Sequence, residues 1–246
     1  MQEKPITVSI VSHGHGRMVS RLVESLQARC PEVREVIITR NIAESTPPPD
    51  HPGLRLIDNP HPKGFGANHN NAFKQSKTPF FCVLNPDVTL TENPFPPLLS
   101  TLRRTRAALT APIAVSPNGE IEDNLRRFPT FGSLLSKFMA GEKGRYPYRA
   151  GQAIIHPDWV AGMFMLFRRE AFQAVGGFDE RYFLYYEDVD ICARLWRAGL
   201  RVTATAEARV IHDAQRASHR DLQHLRWHLG SAARYLLKGS APRKAT

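Results

Sequence analysis

Ile6-Thr7-Val8-Ser9-Ile10-Val11 is a short apolar run rich in β-branched residues, the composition of a strand buried on both faces. It opens into Ser12-His13-Gly14-His15-Gly16, which reads as a loop, and then Met18, Val19, Leu22, Val23 and Leu26 recur at helical spacing. The same alternation continues outward from there. Residues 33–39 and 54–57 read as strands, the second after a proline-rich loop at 46–52; residues 66–77 read as a helix and 80–84 as the next strand. Strand–helix alternation of this kind predicts an α/β fold, a doubly wound, mostly parallel sheet flanked by helices in a single domain. Its ligands are expected at the C-terminal ends of the strands.

The second half is less regular. Residues 98–107 read as a helix, 109–115 and 159–168 as strands, 187–198 as a helix, and 201–205 and 208–212 as two short strands. Residues 117–157 are rich in Gly, Pro and Arg, with a helical patch at 133–139, and read as a mobile insertion beside the site. Leu222, Leu225, Leu229, Ala232 and Leu236 mark an amphipathic C-terminal helix with arginines and histidines on its other face. The expected division is a catalytic domain over 1–215, comprising halves 1–115 and 116–215, followed by a basic helix and tail over 216–246.

At 246 residues with 42% hydrophobic and 23% charged side chains, the chain is neither disordered nor fibrous. Its longest apolar stretch, residues 159–167, is far short of the ~20 residues that cross a bilayer. Cys30, Cys82 and Cys192 are odd in number, far apart and in apolar contexts, which suits buried thiols in a reducing compartment. No basic-then-apolar leader precedes the first strand, so a cytoplasmic location is expected. The net charge of +10 is uneven: residues 197–246 alone carry +7. A basic tail suits a polyanionic partner (an anionic membrane face, a phosphorylated substrate or nucleic acid) or equally a solvated helix face.

Four constellations carry candidate chemistry. Lys63-Gly64-Phe65-Gly66-Ala67-Asn68-His69-Asn70 has glycines before a helix, where backbone N–H groups can meet a phosphate. It lacks the third glycine of a dinucleotide fingerprint, and its spacing equally describes a tight turn. Phe80–Leu84 runs into Asn85-Pro86-Asp87, a carboxylate at the ligand edge of the sheet, suited to a hard divalent cation or simply a turn. In Tyr185-Tyr186-Glu187-Asp188-Val189-Asp190 an acidic pair opens a helix after an aromatic run, as a general base requires, while Asp190 is spaced to pair with Arg194. His212 ends an apolar strand as a core histidine or a metal ligand.

In this order the segments resemble the family 2 glycosyltransferases of GT-A fold, most closely the rhamnosyltransferase-like branch. The resemblance runs from residues 8–12 through Lys63–Ala67, Leu84–Val88, Val160-Ala161-Gly162, Arg168–Phe172, Val175–Glu180 and Tyr186–Ile191 to His212. It implies an inverting transfer of a sugar, L-rhamnose from dTDP-L-rhamnose, to a saccharide acceptor on a polyprenyl diphosphate in cell-surface polysaccharide synthesis. Asp87 would hold Mg2+ or Mn2+ with His212, Asp188 would be the base, and Glu187 would orient the site. Ser12, His13, Arg40, Lys63, Gly64, Phe65, Gly66, Asn70 and Asn85 would line the donor side, and Trp159 and Gly162 the acceptor side. The basic tail would meet the inner face of the plasma membrane.

Three positions depart from the family pattern. Arg40-Asn41 stands where an acidic residue reads the base, and Arg40 there is equally placed to contact phosphate. His13-Gly14 replaces Tyr-Asn, and Asn85 replaces the first acid of Asp-x-Asp. These departures leave the nucleotide base open. They also allow a second reading, a non-catalytic sugar-nucleotide-binding module. A basic nucleic-acid-binding protein ranks below both, since no platform of interleaved basic and aromatic residues is visible.

Overall fold

The computed structural model describes residues 4–47, 53–130, 144–149, 151–213 and 222–239. Residues 48–52 of the proline-rich loop, the helical patch expected at 133–139 and the tail at 240–246 lie outside the described residues.

The apolar run at the start forms β1 (Ile6–Ser12), parallel to β2 (Val33–Arg40) on one side and β4 (Phe80–Leu84) on the other. β3 (Leu54–Asp58) extends the parallel set beyond β2. α1 (Gly16–Arg29) buries the stripe Val19, Leu22, Val23 and Leu26, α2 spans Phe65–Gln75, and α3 is Phe95–Thr105. β4 is buried along its whole length, with Phe81 and Val83 facing one hydrophobic cluster and Phe80, Cys82 and Leu84 the other, so core lies on both faces of the sheet.

Beyond β4 the sheet becomes mixed. After β5 (Val88–Thr89) come β6 (Leu109–Val115), β7 (Leu125–Arg126), β8 (Ile154–Ile155), β9 (Trp159–Val160), β10 (Phe164–Arg168) and β11 (Val202–His212). The strand order is β3-β2-β1-β4-β10-β6-β11-β5, with β8 on β11 and a separate β7-β9 pair. β10 runs antiparallel to both β4 and β6, so the parallel character holds through β3-β2-β1-β4 and again only between β6 and β11. The remaining helices are α4 (Arg169–Ala174), α5 (Glu187–Arg197) and α6 (Leu222–Leu237). The cysteines are free and buried, as expected.

Four expectations need correction. The strand expected over 159–168 is two strands: the Ala161 N–H still follows the β7 partner, going to the Asn124 carbonyl at 2.9 Å, but the Gly162 N–H leaves for Asp188 Oδ2 at 3.1 Å, and from Phe164 the chain pairs with β4 instead. The two short strands at 201–212 are one, β11, with a register shift between Thr205 and Arg209. The described parts of 117–157 are not a mobile insertion: Asn124, Leu125, Phe128 and Ile155 are buried, and β7 and β8 pair with β9 and β11. Finally, α6 does not pack through the whole expected stripe. Ala232 is buried and Leu236 half-buried, but Leu225 and Leu229 are exposed, and the inward face carries Ser231 and Tyr235.

Candidate active site

Two carboxylates, Asp87 and Asp188, mark the candidate site. Asp87 follows the C-terminal end of β4 in a turn that Pro86 favours, where its carbonyl accepts the Asp213 N–H at 3.2 Å. Its Oδ2 is 3.3 Å from His212 Nε2, while its Oδ1 is buried with no partner. The second ring nitrogen of His212, Nδ1, lies 2.5 Å from Glu122 Oε2. Burial alone would lower the His212 pKa, but hydrogen bonds to Asp87 and Glu122 outweigh it and hold the pKa above its ordinary value. With a carboxylate on each side of the ring, the three groups form a line and not a shell around one point. Correspondingly, no group of three His, Cys, Asp or Glu stands assembled for a metal among the described residues.

Asp188 sits in the first turn of α5. Its Oδ2 accepts the Gly162 N–H at 3.1 Å and its Oδ1 the Val189 N–H at 2.8 Å. Burial raises its pKa, against the restraint of those two N–H groups and the nearby charge of Arg126. Glu187 is buried, its Oε2 has no partner, and burial with the neighbouring Asp188 charge pushes its pKa well above the usual carboxylate range. Of the two carboxyls, Asp188 has the backbone N–H groups that favour a charge. Tyr185 and Tyr186, just before the pair, are both left-handed, at φ 70° and 68°. Such strain costs about 1–3 kcal/mol per residue and needs surrounding contacts to hold it. Those contacts come from α6: Tyr185 OH lies 3.0 Å from His224 Nδ1, and the Tyr186 ring stands against His228 and Tyr235.

Backbone contacts link the segments that carry Asp87 and Asp188. The Asn85 N–H donates to the Met163 carbonyl at 2.9 Å, and Gly162, next to Met163, holds Asp188. A second route runs through residues that sequence reading missed. Glu122 touches His212, the Asn124 carbonyl takes the Ala161 N–H, and Arg126 lies 5.3 Å over the Trp159 ring and within electrostatic range of Asp188. Alternate residues 122, 124 and 126 thus link the two ends. The only sequence signal was that alternation, inside a segment whose glycines and prolines read as loop.

Several expected donor residues have other partners. Arg40 donates to Asp58 Oδ1 and Oδ2 at 2.5 and 2.8 Å, a bidentate pair at the ends of β2 and β3. The side chain of Asn70 donates to the Phe178 carbonyl at 2.9 Å and to Glu180 Oε1 at 3.0 Å, and accepts the Phe178 N–H at 2.9 Å, so it clamps the 178–180 loop instead of facing a donor. A Cβ at Gly64 would lie 2.8 Å from the Phe183 carbonyl oxygen, and one at Gly66 2.7 Å from Phe178 Cβ. These glycines serve the close approach of that same loop. Phe65 stacks edge-on to His69 and Phe178 and closes on Gly162. Trp159 is buried, its indole N–H donating to the Arg127 carbonyl at 2.9 Å.

The exposed donor-side positions are His13 and Lys63. Ser12 is buried and its Oγ accepts the His15 N–H at 3.1 Å; Asn85 is half-buried. Asn41, also missed, is a buried amide whose Oδ1 accepts the Lys63 N–H and whose Nδ2 donates to the Lys63 carbonyl, at 2.8 and 2.9 Å. It fixes the loop that carries Lys63.

A family model described as glycosyltransferase like family 2 matches residues 4–230. This chain belongs to that family. It is a glycosyltransferase, and it is similar to the rhamnosyltransferase WbbL of Escherichia coli K12, with 30% identity covering 95% of this chain and 93% of that one. It is also similar to the N-acetylglucosaminyl-diphospho-decaprenol L-rhamnosyltransferase of Mycobacterium tuberculosis H37Rv, with 29% identity covering 88% and 78%. Among solved structures, GalNAc-T7 with UDP, GalNAc and Mn2+ superposes at a TM-score of 0.64, with 15% identity over 85% of this chain and 44% of that one. Mannosyltransferase PcManGT of Pyrobaculum calidifontis, in complex with GDP-Man and Mn2+, superposes at 0.62, with 15% identity over 98% and 68%. The glycosyltransferase has the GT-A fold that these neighbours share.

Proposed function

We propose that this glycosyltransferase moves L-rhamnose from dTDP-L-rhamnose to a saccharide on a polyprenyl diphosphate, with inversion, in cell-surface polysaccharide synthesis. The names of the Escherichia coli and mycobacterial relatives support the donor sugar, and the mycobacterial name supports the lipid-linked acceptor. The observation that carries the chemistry is Asp188: a carboxylate at a helix N-terminus, fixed by two backbone N–H groups, with burial raising its pKa.

The acceptor hydroxyl oxygen attacks the anomeric carbon on the face opposite the diphosphate, and its proton passes to Asp188. The bond from the anomeric carbon to the diphosphate breaks, and its electron pair leaves with the nucleoside diphosphate. A base so positioned contributes roughly 10²–10⁴-fold. Glu187, buried with an unpartnered Oε2, leaves the two backbone N–H groups to Asp188. His13 and Lys63 face the donor from loops that Ser12 and Asn41 hold, and on the acceptor side Gly162, with the Phe65 ring closed against it, holds the Asp188 carboxylate through its N–H. Asp87 would hold a divalent cation, Mg2+ or Mn2+, through its buried, unpartnered Oδ1, and His212, whose two ring nitrogens face Asp87 and Glu122, would have to release one of those contacts to join it. A cation there would neutralise charge gathering on the leaving diphosphate.

Asp188→Asn is expected to lower transfer by about 10²-fold or more while leaving intact the rise in melting temperature produced by dTDP with Mg2+ or Mn2+. Normal transfer by this variant removes the base assignment. Nucleotide binding by the unaltered chain without transfer to any acceptor supports the non-catalytic binding module instead.

A further inference from the structure

α6 turns its polar and aromatic side inward. His224, Trp227, His228, Ser231 and Tyr235 meet the 183–186 turn, with Ser231 Oγ donating to the Leu184 carbonyl at 3.0 Å and Trp227 stacking on Phe183 at 4.7 Å. Three of its leucines are outside. Leu225, Leu229 and Leu237 are 52%, 59% and 84% exposed, and with exposed Ala233 they recur every fourth residue along the outer face. Arg226 and Arg234 are exposed beside them. A helix that packs only on its own domain turns its leucines inward. One that turns them outward among arginines has the form of a helix lying in a membrane interface.

We propose that this outer face docks on an anionic lipid surface, its leucines entering the boundary between headgroups and acyl chains while Arg226 and Arg234 meet lipid phosphates. Charge complementarity selects this occupant: residues 197–246 carry +7, and a cytoplasmic leaflet is negative. A second copy is disfavoured, because self-pairing of the face would enclose like charges within an apolar contact. Nucleic acid would engage the arginines but leave the leucines in water. The docking deepens the proposed function, because the inner face of the same helix braces the turn that precedes Asp188. A lipid-linked acceptor would then be presented at the surface where its base is held.

The test is co-sedimentation of the full chain with vesicles of phosphatidylcholine alone and of phosphatidylcholine mixed with phosphatidylglycerol. Binding is expected with the anionic vesicles, weakening as salt rises. The Leu225→Gln/Leu229→Gln/Leu237→Gln variant is expected to bind at least about tenfold more weakly with an unchanged melting temperature, since these side chains are exposed. Arg226→Gln/Arg234→Gln is expected to lose the preference for phosphatidylglycerol. Failure to bind anionic vesicles, unaltered binding by the leucine variant, or a wild-type dimer that this variant turns into a monomer would each overturn the proposal. Asp188→Asn binds the vesicles whatever its transfer activity, so this reading and the proposed reaction fail separately.

Discussion

Glu187 and Asp188 are chain neighbours with opposite surroundings. Asp188 accepts two backbone N–H groups and lies near Arg126, whereas one oxygen of Glu187 is buried with nothing to bond. A carboxyl whose folded pKa exceeds its unfolded value binds more protons when folded, so its contribution to stability falls as pH rises from about 4.3 toward the folded pKa, at up to about 1.4 kcal/mol per pH unit. Glu187→Gln keeps the shape and cannot ionise. It is expected to be more stable than the parent chain at neutral pH and to converge with it near pH 4, as read by chemical denaturation across that range.

Glycine at the level of a helix can act in two directions, and α2 and α6 provide both. Alanine is better than glycine in a helix interior by up to about 1 kcal/mol. At Gly66 of α2, however, a Cβ would stand 2.7 Å from Phe178 Cβ, inside the packed contact between α2 and the 178–183 loop. Gly66→Ala is expected to destabilise by about 1–3 kcal/mol. At Gly230 of α6 a Cβ would meet nothing within 4 Å. Gly230→Ala is expected to stabilise by about 0.4–1 kcal/mol. Thermal unfolding of the two variants side by side checks the opposite signs.

Across the whole molecule, Lys238 fastens the end of α6 to the segments that carry Asp179 and Asp190. Its Nζ lies 2.5 Å from Asp179 and 2.6 Å from buried Asp190, which also pairs with Arg194 at 2.7 Å. The spacing of Asp190 and Arg194 along one helix made their pairing legible; the lysine, 48 residues downstream, was not. Lys238→Ala leaves these charges short of a partner and is expected to cost about 1–3 kcal/mol. Because α6 braces the left-handed Tyr185-Tyr186 turn, hydrogen exchange is expected to quicken in 222–237 and 182–186 together. Loosening of α6 alone would disconnect the two.

Sequence by itself determined what depends on near neighbours. Hydrophobic period marked β1, α1, β2 and β4, the turn residues after β4 put Asp87 at the edge of the sheet, and the acidic pair at the start of α5 marked Asp188. Tertiary structure alone decided which distant groups meet: Glu122 with His212 across 90 residues, and Asn70 with Phe178 across 108. It also decided that β10 runs antiparallel and that α6 turns Leu225, Leu229 and Leu237 outward. Periodicity fixes which side chains share a face, because it follows from local backbone geometry. What that face meets depends on where the rest of the chain packs, and no local spacing records it.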